Sequence, residues 1–145
     1  MRNFRPGIAA VVYRTTQKGE NKFLLLHRVQ NWKGYEFVKG GTIGGESEWQ
    51  TVDREMKEEA GLKILEVKKV PYKIEYKWPV EIVKDRKEFN GASLDLFLVH
   101  VKGEKVKLDH NEHDNYKWVA AEKALKYLTY KDQKKALKYV LEHYF

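Results

Sequence analysis

A glycine-rich loop followed at once by a helical pattern constrains the fold of this chain more than any other feature. Four glycines lie between positions 40 and 45, where they leave room for the backbone to approach a ligand closely. The spacing then predicts a helix from Ser47 to Ala60, with Ser47 as its N-cap and Gly61 as the residue that ends it.

The predicted helix has an apolar stripe and an acidic face. Residues at helical spacing form a stripe that we expect to be buried, namely Trp49, Val52, Met56 and Ala60. The neighbouring face carries the three carboxylates of Glu55, Glu58 and Glu59. Such a face is often plain solvent-exposed surface, but crowded carboxylates repel one another unless a cation lies between them. Hard oxygen ligands suit Mg²⁺ or Mn²⁺, so the helix predicts a divalent cation site.

The rest of the chain alternates between strand and helix patterns. Paired strands are predicted at residues 8–13 and 23–28, on either side of a polar segment that contains Gly19. Further strands are predicted at residues 64–78 and 94–101, with Pro79 and the Asn90-Gly91 pair marking the loop or hairpin between them. Helices are predicted at residues 121–127 and 131–144. These elements favour one mixed α/β (α+β) sandwich, a single domain over residues 1–145.

Composition narrows the partners and the compartment. Twenty-eight Lys and Arg against twenty-one Asp and Glu leave a net charge of +7, which attracts polyanions such as nucleotides or RNA. Part of this charge is equally typical of a heat-adapted surface, and the lysines of the last helix are expected to form a solvated face. Without cysteine there is neither a disulfide nor a thiolate metal site, and we expect a cytoplasmic protein that inserts into no membrane.

The spacing around the acidic face resembles the Nudix signature at every defined position. The matching residues are Gly40, Glu46, Arg54, Glu55, Met56, Glu58, Glu59, Gly61 and Leu62. A long, gapped pattern of this kind is far more specific than a short glycine fingerprint. The resemblance implies an α/β/α sandwich with a mixed central β-sheet and the hydrolysis of a pyrophosphate linkage by cation-activated water.

The same resemblance implies a role for each residue of the motif. The Gly40 carbonyl, Glu58 and Glu59 would bind Mg²⁺ or Mn²⁺, and Glu55 would be a further metal ligand or the catalytic base. Glu46 and Arg54 would form an ion pair that fixes the loop against the helix.

A second likeness extends beyond the motif. Residues 112–118 are similar to the Glu-His-x-x-Tyr-Arg-Trp stretch of asymmetrical diadenosine tetraphosphate hydrolases, and residues 128–137 continue the likeness. Residues 35–40 are similar to their Trp-x-Phe-Pro-Lys-Gly stretch, with Val38 in place of proline. Residues 41–45 depart from the usual His-Val-Glu-Pro-Gly, in a loop expected to face the substrate.

Candidate residues outside the motif follow from this second resemblance. Glu112 would bind metal or act as the base, and the choice between Glu112 and Glu55 stays open. Lys39 would bind phosphate. Aromatic side chains that either stack on a nucleobase or belong to the core are Tyr76, Tyr116 and Tyr130. His110 and His113 complete no known zinc pattern, so we expect a solvated or hydrogen-bonding role for them.

The sequence therefore predicts a metal-dependent pyrophosphohydrolase, with diadenosine tetraphosphate, cleaved to ATP and AMP, as its first expected substrate. Alternatives are the 5′ end of RNA and a broader set of nucleoside diphosphate derivatives. A non-enzymatic alternative is a basic nucleic-acid-binding module that keeps the fold without the activity. The pattern leaves open whether the protein is a monomer or a homodimer.

Overall fold

The computed structural model describes residues 3–80 and 88–145. The strands are β1 (Asn3–Thr15), β2 (Asn21–Arg28), β3 (Gly34–Glu36), β4 (Val38–Gly41), β5 (Lys63–Lys77), β6 (Phe89–Lys102) and β7 (His113–Val119). The helices are α1 (Glu48–Glu59), α2 (Ala121–Tyr127) and α3 (Lys131–Tyr144). Within the described part of the chain, no helix is long and apolar enough to cross a membrane.

The seven described strands form one mixed sheet with β1 near its centre. β1 pairs in parallel with β6 and antiparallel with both β2 and β4. β5 pairs with β6 at one edge, while β3 and β7 both pair with β2. Because Gly41 of β4 lies opposite Gly7 of β1, the glycine-rich loop leaves the sheet beside its central strand.

Side chains along β1 alternate between two hydrophobic cores. Ile8, Ala10 and Val12 pack on the side of α1, whereas Ala9 and Val11 pack on the side of α2 and α3. Alternation at every second residue is the strand period, and burial of both faces explains why this stretch is apolar without interruption. The predicted α/β/α sandwich with a mixed central sheet is confirmed.

The predicted N-cap of α1 is confirmed, whereas the helix ends at Glu59 with Ala60 as its C-cap, one residue before the predicted Gly61. The Ser47 hydroxyl accepts a hydrogen bond from the Gln50 amide, and the Gln50 side chain accepts one from the Ser47 amide, so the N-terminus is capped from both sides. Gly61 follows the helix with a φ of 66°, a left-handed conformation that favours glycine. Trp49 was wrongly predicted to be buried: its ring meets Phe97 edge-on, and 52% of the residue stays exposed.

The Asn90-Gly91 pair was wrongly predicted to mark a loop or hairpin. Both residues belong to β6, where Gly91 lies opposite Lys77 of β5. A Cβ at Gly91 would overlap the Tyr76 carbonyl oxygen, so the glycine serves close approach of two strands and not a turn.

Candidate active site

Two glycines allow the strand backbone to lie directly against the acidic face of α1. A Cβ at Gly40 would overlap the carboxylate of Glu55, and a Cβ at Gly7 would overlap the Gly40 carbonyl oxygen. Any larger side chain at either position would push β4 or the helix away. The first residue of the motif is therefore a glycine for a reason of packing.

Glu46 and Arg54 fasten the glycine-rich loop to α1. Arg54 Nε lies 2.7 Å from Glu46 Oε2 and its Nη2 lies 3.1 Å from Oε1, a bidentate ion pair. Arg54 Nη2 also donates to the Gly41 carbonyl at 2.9 Å, and Glu46 Oε1 accepts from the Ile43 amide at 2.9 Å. Hydrogen bonds from Arg54 and Ile43 lower the pKa of Glu46 to about 2, so this carboxylate stays charged.

The acidic face of α1 is short of positive charge. Burial raises the pKa of Glu55 to about 7, with further increases from Glu58 and Glu112 and an opposing effect of Arg54. Burial, followed by the charges of Glu55, Glu36 and Glu112, raises the pKa of Glu59 well above its usual range. These carboxylates would carry their full charge together only if a cation joined them.

The donor set fits a divalent cation. Glu59 is 1% exposed, its Oε2 accepts from the Lys39 amide at 3.2 Å, and its Oε1 has no hydrogen-bond partner among the described residues. One ligand atom from each of Glu59, Glu112 and His113 lies within 4.8 Å of the others. A buried carboxylate oxygen without a partner is an expected feature of a cation site, and carboxylate oxygens suit Mg²⁺ and Mn²⁺.

A second cluster, the Glu36 cluster, consists of Arg28, Glu36, Lys39 and His113. Glu36 is fully buried, and its Oε2 lies 3.1 Å from Arg28 Nη1 and 2.8 Å from His113 Nε2. Its Oε1 lies 3.4 Å from Lys39 Nζ. Burial alone would raise the pKa of Glu36, but Lys39, the His113 hydrogen bond and Arg28 lower it to about 2. Glu36 is therefore a permanent buried anion that fixes two cations.

Those two cations pack against aromatic rings. Arg28 Cζ lies 4.4 Å from the centre of the Trp32 ring, and Lys39 Nζ lies 4.7 Å from it. Lys39 Nζ also donates to the Tyr76 hydroxyl at 3.0 Å. Burial would lower the pKa of Lys39, but Glu36 and Tyr76 raise it, so the ammonium stays charged beside the acidic face.

Two adjoining cavities, each of about 250 Å³, open onto these groups. The first cavity combines motif residues with side chains from outside it, among them Arg5, Arg28, Trp32, Lys39, Gly40, Arg54, Glu55, Tyr76 and Glu112. The second cavity is mainly aromatic and apolar, and it is lined among others by Trp32, Ile74, Tyr76, Trp78 and Tyr130. The two share Trp32, Lys39, Tyr76 and Trp78, and we call this adjoining pair of cavities the cleft.

The structure brings most of the predicted site residues to this cleft. Glu55, Arg54, Gly40, Lys39 and Glu112 line the first cavity, Tyr76 lines both, and Tyr130 lines the second. Tyr116 lines neither cavity and packs instead against the core on the α1 side. Glu58 and Glu59 line neither cavity: the side chain of Glu58 is 55% exposed and lies 3.4 Å from Arg54 Nη1, whereas Glu59 is buried.

Comparison with protein families shows which family the chain belongs to. A family model for the NUDIX domain matches residues 3–140, which is nearly the whole chain. The chain belongs to the Nudix family. It is therefore a hydrolase of phosphoric anhydride bonds, a Nudix pyrophosphohydrolase, in a family whose members generally use a divalent metal ion.

Individual relatives of this Nudix enzyme fall into two groups. An RNA pyrophosphohydrolase of a Nitratiruptor species is 30% identical over 99% of this chain and 94% of that protein. The RNA pyrophosphohydrolase of Campylobacter jejuni is 32% identical over 82% of this chain and 79% of its own length. Among solved structures, an Ap4A hydrolase of C. elegans superposes with a TM-score of 0.72 and 25% identity, covering 95% of this chain and 96% of that one.

Several residues of the Nudix cleft carried no motif signal in the sequence. Arg5 reaches the first cavity because Gly41 lacks a side chain that would overlap its guanidinium. Arg28 and Trp32 lie at the end of β2 and in the loop after it, where no spacing marks them. Glu36 did carry a usable signal, since a lone carboxylate between Tyr35 and Phe37 in an apolar segment needs a buried partner.

Proposed function

We propose that this Nudix enzyme hydrolyses the 5′-triphosphate of RNA, releasing pyrophosphate and leaving a 5′-monophosphate. The observation that carries the proposal is the convergence of Arg5, Arg28 and Lys39 on the cavity that Glu55 and Glu112 also line. None of these three side chains belongs to the acidic face of α1. Together they bring three positive charges to the cavity, which can bind the oxygens of a chain of phosphates.

The sequence relatives support the same substrate class. Both relatives at 30% and 32% identity are RNA pyrophosphohydrolases, and the similarity extends over most of each chain. The net charge of +7 favours a polyanionic substrate with further phosphates beyond the cleft. We therefore place RNA ahead of the dinucleoside polyphosphate that the sequence put first.

A dinucleoside polyphosphate is the second candidate, and the second cavity favours it. Trp32, Tyr76 and Tyr130 line that cavity with aromatic rings on which a nucleobase can stack. It adjoins the first cavity, which Glu55 and Glu112 line. The structural likeness to an Ap4A hydrolase at 25% identity agrees with such a substrate.

The reaction needs a proton acceptor, positive charges that neutralise the phosphates, and a loop that is held in place. Glu55 and Glu112 both line the first cavity, and one of them would take the proton from an attacking water, the choice between them staying open. A divalent cation bound by Glu55, Glu58 and Glu59 would lower the pKa of that water and neutralise the phosphates. Lys39 and Arg28 hold further phosphate oxygens, and the Glu46 to Arg54 pair keeps the loop in place.

Direct competition tests the proposal. A 5′-triphosphorylated RNA oligonucleotide and diadenosine tetraphosphate are supplied together at equal concentration with the purified protein and Mg²⁺. We expect pyrophosphate and monophosphorylated RNA to form faster than ATP and AMP. The opposite order would replace RNA with the second candidate, and the absence of both sets of products would reject both substrates.

A further inference from the structure

His113 occupies an unusual position at the start of β7. The residue is fully buried, directly follows Glu112, and contacts the Glu36 carboxylate through Nε2 at 2.8 Å. Register pairing places it opposite Arg28 of β2, and one of its ring nitrogens lies within 4.8 Å of carboxylate oxygens of Glu59 and Glu112. A hydrogen-bonding role was expected for this histidine, and the contact with Glu36 provides one.

The contact with Glu36 determines which ring nitrogen is available. His113 Nε2 lies 2.8 Å from Glu36 Oε2, so the carboxylate accepts a hydrogen bond from the N–H at this ring nitrogen. The lone pair is then on Nδ1. That nitrogen is buried and has no hydrogen-bond partner among residues 3–80 and 88–145. An unsatisfied buried acceptor is costly unless another ligand meets it.

Carboxylate oxygens of two neighbouring residues lie close to the His113 ring. One ligand atom from each of Glu59, Glu112 and His113 lies within 4.8 Å of the others. Glu59 Oε1 is likewise buried and without a partner in the described part of the chain. Donor atoms about 2.1 Å from one ion lie up to about 4.2 Å apart, so small side-chain rotations would close this set around a cation.

We infer that His113 supplies a ring nitrogen to a divalent cation held with Glu59 and Glu112, and that Glu36 orients the ring from behind. A histidine that binds metal through one nitrogen and donates the other N–H to a carboxylate is a recurrent arrangement in metal sites. The inference rests on the proposed metal-dependent function and adds a nitrogen ligand to a site that the motif describes with oxygen ligands alone.

A nitrogen ligand changes which cation the site prefers. Mg²⁺ favours oxygen donors and water, whereas imidazole suits transition metal ions better. This site therefore binds Mn²⁺ more tightly relative to Mg²⁺ than a carboxylate site without His113 would.

Pulsed electron paramagnetic resonance of bound Mn²⁺ tests the inference without substrate. The full-length protein is prepared with ordinary histidine and, separately, with histidine labelled with ¹⁵N. We expect nuclear modulation of the Mn²⁺ echo from a directly bound nitrogen, changing from the ¹⁴N to the ¹⁵N pattern on labelling. Mn²⁺ that binds without histidine modulation overturns the inference and leaves the proposed hydrolysis intact. Absence of Mn²⁺ binding overturns both the inference and the metal assignment.

Two variants assign the nitrogen to one residue. His113→Gln removes the modulation and weakens Mn²⁺ binding by about tenfold or more, with a smaller loss for Mg²⁺. His110→Asn, three positions away and exposed, keeps both the modulation and the affinity. Loss of the signal in His110→Asn instead would contradict the role of His113. If His113→Gln does not fold, the labelled wild-type protein still gives the deciding spectrum.

Discussion

The buried carboxylate of Glu36 and those of Glu55 and Glu59 have pKa values that are shifted in opposite directions. Glu36 has Arg28, Lys39 and His113 around it, and its pKa is lowered to about 2. Burial raises the pKa values of Glu55, to about 7, and of Glu59, and nearby carboxylates add to it, while Arg54 at 2.7 Å from Glu55 offsets only part of the effect. Both groups are shielded from water, so the difference comes from their neighbours.

This contrast explains what each group does. Glu36 has its counter-charges within the protein, so it serves to hold Arg28 and Lys39 in place. The acidic face of α1 has Arg54 as a counter-charge to Glu55 and Glu58 but none paired with Glu59, and a cation would complete it. The protein thus uses glutamate as a structural residue in one group and as a metal ligand in the other. The two groups are expected to respond differently to mutation, pH and metal.

The largest expected effect comes from breaking the acidic face. Glu59→Gln removes a charged metal ligand, and turnover should fall by orders of magnitude while the protein stays folded. Steady-state kinetics with Mg²⁺ and circular dichroism check this. Asp53→Asn, on the exposed side of α1, is the matched control and should keep its turnover. Unchanged turnover in both Glu58→Gln and Glu59→Gln would contradict the metal assignment.

Breaking the Glu36 cluster should lower the free energy of unfolding. Glu36→Leu leaves Arg28 and Lys39 without a buried counter-charge, which costs about 3–5 kcal/mol of unfolding free energy. Urea denaturation of the metal-free protein measures it. Glu46→Leu should cost clearly less, because the Glu46 to Arg54 pair is partly exposed to water. Equal losses in the two variants would remove the distinction between buried and exposed ion pairs.

Lys39→Met tests the residue that lies between Glu36 and the acidic face of α1. It removes a charge from the first cavity while leaving the metal ligands, so KM for a triphosphate substrate should rise by about tenfold. The effect should shrink at high salt. Lys135→Met on the exposed face of α3 is the matched control, and a KM increase of the same size there would show that overall charge, and not the cavity, binds phosphate.

The smallest expected effect is a pH dependence of stability. The folded-state pKa of Glu55 lies above its unfolded value, so its contribution is present below the ordinary carboxyl range and is lost as pH rises through about 7. Glu36 stays ionised throughout this range and contributes no change. Without metal, the melting temperature should therefore be lower at pH 8 than at pH 5, by about 2–4 °C per kcal/mol lost.

Metal and one variant test the origin of that pH dependence. Mg²⁺ should raise the melting temperature at pH 8, because it binds only the folded protein. Glu55→Gln should narrow the gap between pH 5 and pH 8 in the metal-free protein, since a neutral amide does not titrate. A gap that stays as wide in Glu55→Gln would assign the effect to other groups.

The sequence by itself determined the parts of this protein that depend on local spacing. Ser47 and Gly61 fix the two ends of α1 through contacts within a few residues. The Glu46 to Arg54 pair spans one loop and two helical turns, and the apolar run within β1 predicts a strand. Such features depend on neighbours close in the chain and on the period of the secondary structure, so a single sequence displays them.

Only the tertiary structure decided which distant side chains meet. Arg28 and His113 are opposite each other because β2 pairs with β7, and Glu36 joins them because β3 pairs with β2. The exposure of Trp49 and the place of Gly91 inside β6 also depend on how neighbouring elements pack. The register between strands that are far apart in sequence produces no periodic pattern in either strand. The Glu36 cluster could therefore be recognised only in the folded structure.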